Sequence, residues 1–484
     1  MTPDYAGLFF ALRPESLLVL GALAALGLDL SVLRGRAAGQ RLGCALAIGS
    51  LAVLLAGLLT WTGPRGPVFG GVLVLDTLAL GTRLGVLGLT LLTLGIARGG
   101  KVPSQPAEYV AMMLFAAVGL LLMAAVQQLL LGFLALELAS LSLYVLAGFD
   151  RTRPEAAEAA LKYFLFGTMA AAFLLFGFSL VYGLTGSIEL PQIAARLSGP
   201  VPSPMLLVAI AMILVAFGFK SAAAPFHLWA PDVYQGAPAP SAALIASASK
   251  LAGFALFSRL LWPGFGAAAG QARSFAGGPG WLPAVAAVAA ASLLLGNLAA
   301  LAQSNLRRLL AYSAIAHAGA LLLGVMAAGQ AGFAPLFYYA ATYGLATVGA
   351  FGVIAALERE GRCEDIADLA GLHRRSPLLA GCLGVFILSL AGIPPLAGFF
   401  GKLAVFAAAF RMGGPAAWLA VLAIALSAVA LYYYLIVLKE AWVAAPTAGA
   451  RPVAVSRVTA FTLVVAAGLI VGFGLEPALL LGRF

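Results

Sequence analysis

The chain has 484 residues, of which 63% are hydrophobic and only 10% charged; a soluble globular domain carries roughly 25% charged residues, so this composition excludes a water-soluble enzyme and places the chain in a bilayer. Cys44, Cys363 and Cys382 are too few and too scattered for a disulfide framework, a zinc site or an iron–sulfur centre, so no metal, redox centre or other cofactor is expected. The net charge of +10 comes without a soluble basic domain or a block of basic residues, which excludes nucleic acid as a partner.

A crossing helix needs about 20 mostly apolar residues. By that measure the sequence predicts fourteen spans, near residues 15–33, 42–61, 72–96, 108–126, 128–148, 158–182, 205–225, 239–261, 281–303, 308–328, 333–356, 377–403, 416–439 and 454–475. The stretch before the first lacks the basic region of a cleavable signal, so that helix is expected to be retained. Asp76 and Arg83 share a face of the third span at i, i+7 and read as a structural pair. The fourth and fifth spans meet at Gln127 and Gln128, where one long helix is the alternative. Glu137 is the only charge in the fifth span. Lys162 lies nearer the end of the sixth, where its stem can snorkel to the headgroups. Lys220 is in MILVAFGFKSAAAPF, His227 falls beside the loop that follows, and Lys250 is in SAALIASASKLAGFALF. His317 stands in the tenth span, as a satisfied core imidazole or as a proton bridge. The connection Leu357 to Pro377 mixes charges of both signs and reads as a solvated link, with a docking surface as the alternative. Lys402 lies in LSLAGIPPLAGFFGKLAVF.

Basic residues give the orientation. Seven Arg/Lys fall in the tails and even-numbered connections and sixteen in the odd-numbered ones, among them Arg34, Arg36, Arg151, Arg153, Arg374 and Arg375. By the positive-inside rule the termini are expected outside and the odd loops in the cytoplasm.

An ionisable residue at the bilayer centre costs about 2.5–3.5 kcal/mol on insertion scales and marks function by default. Of 22 arginines, 21 are assigned to loops, tails or the end turns of spans, whereas four of six lysines are inside spans. A guanidinium does not deprotonate, while an amine shifts its pKa readily on burial. The pattern therefore asks for cations that release a proton, with a structural salt bridge as the alternative for Glu137, Lys220, Lys250 and Lys402.

Sliding the sequence on itself sets YFLFGTMAAAFLLFG from Tyr163 against YYAATYGLATVGAFG from Tyr338, and a slightly larger shift pairs Lys220 with Lys402. Both lysines are flanked by helix breakers: Gly218 and Pro225, then Gly392, Pro394, Pro395, Gly398 and Gly401. Such breaks at membrane depth need protein or water to satisfy the freed backbone. The expected fold is an all-α integral membrane protein of about fourteen transmembrane helices, with two inverted five-helix repeats and broken helices seven and twelve. The expected divisions are a three-helix segment (1–107), a first five-helix unit (108–261), a second, inverted one (281–439) and a C-terminal helix (440–484). Glu137, Lys220, Lys250, His317 and Lys402 form the expected titratable row, with Lys162, Asp76, Arg83 and His227 as accessory candidates.

PFHLWAPDVYQGAPAPSAALIASASKLAGFALF, from Pro225, together with AALKYFLFG, NLRRLLAYSAIAHAG and SLAGIPPLAGFFGK, resembles the antiporter-like subunits of NADH:quinone oxidoreductase, respiratory complex I, over roughly residues 70 to 440. Among them it is most similar to the subunit N branch; subunit M usually carries glutamate where Lys402 stands. The resemblance implies a proton pathway on a glutamate of helix five and lysines of helices seven, eight and twelve, here Glu137, Lys220, Lys250 and Lys402, with His317 at a position commonly polar in helix ten. It also implies a bacterial inner-membrane location, other membrane-arm subunits as partners, and redox chemistry in other chains. One departure is Arg307, where lysine is common; on a loop edge, it is expected to change little. The alternatives are a cation/proton antiporter or membrane-bound hydrogenase subunit, or a scaffold that moves no protons.

Overall fold

The apolar runs fold as helices because hydrocarbon offers no partner to a bare backbone N–H or C=O. In the computed structural model, which describes residues 5–101, 103–197, 203–270, 280–361, 363–446 and 451–482, thirteen helices are long and apolar enough to cross a membrane. In chain order they are built from α1 (Arg13–Ser31), α2 (Ala38–Thr62), α3 (Thr77–Ala97), α4 (Pro106–Ala125), α5 (Leu129–Ala147), α6 (Pro154–Thr185), α7 (Pro204–Ser221), with α8 (Ala230–Gly236) continuing after a break, the pair α9 (Ala239–Ala246) and α10 (Ala248–Arg259), α11 (Trp281–Leu301), α12 (Leu306–Ala331), α13 (Ala334–Glu360), α16 (Gly414–Trp442) and α17 (Arg457–Leu475). Between α13 and α16, the shorter α14 (Pro377–Ala391) and α15 (Ala397–Met412) form the interrupted fourteenth crossing. Starts are marked by chemistry: Asp76, Ser203, Asn305 and Ser456 each accept a first-turn amide, and proline opens α4, α6 and α7, where its missing N–H costs nothing.

The interior is formed by helices rich in small residues. The α9–α10 crossing and α13 are buried along their whole apolar windows and α12 along 94% of its window, whereas α6, α16 and α17 are one-third buried. Alanine, glycine and serine let central helices approach closely where apolar lipid gives no reason for helices to associate. Lys250 and His317 therefore stand on the most enclosed helices.

Several expectations are corrected. The third span does not begin at residue 72: residues 66–68 and 73–75 pair as a short antiparallel hairpin, and Asp76 caps α3 instead of lying inside it. The fourth and fifth spans are separate, as expected, and the alternative of one long helix through Gln127 and Gln128 falls. Val126 and Gln128 are extended, and Gln127 donates its amide to Val72 O at 2.9 Å. A break the sequence did not announce lies at Ser247 (φ −114°, ψ −84°), between α9 and α10; its hydroxyl bonds Ala243 O at 2.6 Å, the back-bonding that bends helices.

Two features recur along the chain. Gln128, just before α5, forms an antiparallel bridge with Glu189, and Asn305, just before α12, forms one with Asp365. The interrupted crossings also match: α7 is capped by Ala222 and α14 by Gly392, both left-handed. These landmarks put Lys220 before its break and Lys402 after its own, so the sequence pairing of the two lysines as matching points does not hold. A gapless shift cannot follow halves whose loops differ in length.

Candidate functional site

Lys220 is the penultimate residue of α7 and 5% exposed. Its Nζ donates to Ser140 Oγ at 3.1 Å. Ser140 stands one turn beyond Glu137 on α5, and residues three apart share a helix face. Glu137 is half-buried, and its Oε1 has no hydrogen-bond partner. The structure thus brings the two together without closing them into an ion pair. The freed backbone at the break is satisfied by protein: Trp229 Nε1 donates to Phe219 O at 3.1 Å and Ala224 N to Ser292 Oγ at 2.8 Å.

Lys250, on α10, is 2% exposed. Its Nζ donates to Ala314 O at 2.6 Å and lies 5.4 Å from the centre of the Tyr343 ring, within cation–π range. Between Lys220 and Lys250 is a cleft lined by Phe217, Phe254 and Phe257, with no room for a water molecule. Ala314 is one turn before His317 on α12. His317 Nδ1 is 2.6 Å from Tyr339 Oη and Nε2 is 3.2 Å from Tyr434 Oη, and Tyr434 Oη is also bonded to Ser313 Oγ. Lys402, half-buried in α15, donates to Ala391 O at 2.9 Å, a carbonyl set free where α14 ends. His317, Lys402, Asn297, Tyr339 and Tyr433 line one small polar cavity; it has space for on the order of one water.

The remaining cations separate from these. Among the described residues three arginines are buried, and each faces a carboxylate: Arg83 meets Glu15 at 2.6 Å, Arg259 meets Asp76 at 2.7 Å, and Arg307 meets Glu358. Among the described residues no carboxylate lies within 4.0 Å of Lys220, Lys250 or Lys402. Asp76 and Arg83 therefore do not pair with each other: two turns apart on a helix is about 10.5 Å, and each finds a partner on another helix. Lys162 does not simply snorkel; it bonds Asp232 at 2.5 Å and Glu158 at 2.6 Å, and Arg308 reaches the same Asp232 at 2.7 Å. Arg307 stands at the loop edge as expected, as the second residue of α12, but it is not peripheral. It is 1% exposed in the first turn of α12. His227 is buried in the segment that joins α7 to α8, outside the row.

Sequence reasoning missed Ser140, Tyr339, Tyr343 and Tyr434. The available signal was tyrosine on central helices, since a buried phenol normally needs a partner. Among the described residues no group of three or more His, Cys, Asp or Glu side chains is placed to hold a metal ion.

A bundle whose enclosed helices are interrupted beside lysines and a tyrosine-held histidine defines a polytopic membrane protein of the antiporter-like kind. Residues 126–427 match the family described as "NADH:quinone oxidoreductase/Mrp antiporter, TM", and the chain belongs to that family. It is 48% identical over 470 residues to "NADH-quinone oxidoreductase subunit N 2" of Acidobacterium capsulatum, covering 93% of each chain. It is 40% identical to "NADH-quinone oxidoreductase subunit N" of Xanthomonas euvesicatoria, covering 93% of this chain and 91% of that one. A chain of respiratory complex I from Thermus thermophilus, solved with aureothin, superposes with a TM-score of 0.76 at 35% identity, covering 97% of this chain and 99% of that one.

Proposed function

We propose that this chain is a proton-translocating membrane-arm subunit of a complex I type NADH:quinone oxidoreductase. It contributes no redox chemistry of its own and packs beside other membrane-arm subunits in a bacterial inner membrane. The relatives' names supply the complex; the proton-moving role rests on one observation, that the buried arginines have carboxylate partners and the three lysines of the row do not. A permanent charge needs a fixed counter-ion, whereas a site that alternates between charged and neutral is held best by neutral oxygens.

In this reading Glu137 and Lys220 form the switching pair. Lys220 rests on Ser140, one turn from the carboxylate, so side-chain rotation exchanges a neutral acceptor for a charged one. The phenylalanine cleft interrupts the route to Lys250, and water must enter it, or a lysine must swing, before a proton crosses. Beyond Lys250 the path follows the Ala314 turn to His317, whose ring sits between two tyrosine hydroxyls that can each donate or accept, and then the polar cavity to Lys402. The matched bridges and breaks support two inverted five-helix units, 108–261 and 281–439, flanked by 1–107 and 440–484. The excess of basic residues in the odd connections supports termini on the outer side.

Lys250→Arg tests the reading. Both side chains lose the same water at this site, so the difference in their ordinary pKa values, about 10.4 against 12.5–13.8, sets the comparison. At 1.36 kcal/mol per unit, proton release from arginine costs about 3–5 kcal/mol more, which slows transfer by about 10²–10³-fold. Assembled complex in vesicles is expected to lose proton translocation. Normal translocation by this variant would overturn the proposal and favour a scaffold. A cation/proton antiporter subunit is the second reading, favoured only by the family description, which names the Mrp antiporter beside NADH:quinone oxidoreductase; the identity of the chains that co-purify separates them.

A further inference from the structure

Helices α3 and α17 are packed tightly at one end and splayed at the other. A Cβ at Gly95 would lie 2.2 Å from Thr462 Oγ1, and one at Gly99 would lie 2.5 Å from Thr459 Oγ1, so there the helices touch backbone to side chain. Towards Thr77 they part, and α13 forms the back wall of a groove of about 400 Å³, lined from Thr77 to Leu92 on α3, from Phe337 to Leu345 on α13 and from Val465 to Phe473 on α17. Gly88 is exposed on this groove, and no heavy atom stands within 4 Å of where its Cβ would be.

We propose that this groove holds an acyl chain of a phospholipid from the leaflet on the Trp61 side. Size argues for a single hydrocarbon chain. From Thr77 to Leu92 the groove runs about 22 Å at 1.5 Å per residue, which matches one leaflet with its interface, half of about 40–45 Å. A partner helix, about 10 Å across, would have to continue where Gly95 and Gly99 close the gap. The ends also fit. The closed end meets α17 near its middle, at Val465. The open end carries Trp61, an interfacial residue type, and beside it the exposed Arg65, whose guanidinium caps the end of α2 on the carbonyls of Thr60, Trp61, Gly63 and Pro64 and leaves its charge at the surface, where a lipid phosphate can meet it.

The occupant would lie one helix away from the titratable row: α13 turns Phe337, Ala341 and Leu345 to the groove, while Tyr339 and Tyr343 on its other side meet His317 and Lys250.

The test uses the assembled complex in membranes containing phosphatidylethanolamine with a diazirine midway along one acyl chain. After illumination, adducts are expected on peptides covering Thr77–Leu92 and Val465–Phe473 in excess over the outer face of α6, Leu161–Phe176. Gly88→Phe, which fills the groove, should lower the groove adducts several-fold, while Gly183→Phe, at an open position on α6, should leave them unchanged. Groove labelling no higher than that of α6, or unaffected by Gly88→Phe, overturns the proposal; so does cross-linking of these peptides to another protein chain, or displacement of the adducts by excess quinone. Should Gly88→Phe fail to assemble, the comparison of groove with α6 in the unaltered complex still decides.

Discussion

Removing the Arg307 guanidinium is expected to loosen the joint between α8 and α12. Arg307 Nη1 donates to Gln235 O at 3.0 Å and Ala237 O at 2.7 Å, and Nη2 bonds Glu358. The carbonyls belong to the end of α8, which has no intrahelical partner to offer them. Arg307→Ala leaves a mostly buried carboxylate without its cation, at about 3–5 kcal/mol, and two bare carbonyls at about 1 kcal/mol each, roughly 5–7 kcal/mol in all. Arg307→Lys keeps the charge but lacks the fork that spans three acceptors, losing one or two hydrogen bonds, about 1–3 kcal/mol. The double change Arg307→Met with Glu358→Leu removes both charges and should recover most of the loss. Unfolding in mixed micelles, titrated with a denaturing detergent, measures the series, and the ranking is wild type, lysine and double variant, then alanine. An alanine variant within about 1 kcal/mol of wild type would refute the view that this arginine fastens α8.

Glu137→Gln should leave stability nearly unchanged, because Oε1 has no hydrogen-bond partner to lose, yet lower proton translocation in vesicles; unchanged translocation removes Glu137 from the switch. Gly392→Ala forces a left-handed residue (φ 88°) at about 1–2 kcal/mol and sets a methyl 3.2 Å from Lys402 Nζ, so both melting temperature and translocation should fall, and a neutral result would place Lys402 elsewhere. Burial pushes the Cys363 thiol up to about 12, which leaves a thiolate fraction of only about 10⁻⁴ at pH 8; maleimide should leave it unmodified in the native protein and label it after unfolding, and the rate should rise with pH.

The helices and the depth of the row were legible because hydrocarbon demands uninterrupted apolar runs, so any lysine within one stands out. Partners were not. Asp76 and Arg83 looked like a pair from spacing, but their carboxylate and guanidinium partners, Glu15 and Arg259, come from spans far off in sequence, which periodicity cannot reveal. Arg307 looked peripheral because it follows a loop, whereas helix ends at a packed joint bury such residues. The break at Ser247 escaped because serine carries no breaker signal of its own; only its bond to Ala243 O marks it. Tyr339 and Tyr434 were passed over, and their hydroxyls became functional candidates only once His317 was found between them.

The arginine and lysine contrast gains a physical basis from these misses. Three arginines are buried after all, so depth alone does not sort the two cations. What sorts them is the partner. Each buried arginine is fixed by a carboxylate, as a charge that never leaves must be. Lys220, Lys250 and Lys402 rest instead on a hydroxyl and two backbone carbonyls, acceptors that compensate an ammonium only partly and leave the neutral amine at little cost. A site meant to hold helices together would be stabilised by a counter-ion, and Glu137, near Lys220 and unbonded at Oε1, is the counter-ion that stands aside. On the proposed reading, the same arrangement that would weaken a structural pair gives a site that moving one carboxylate would switch.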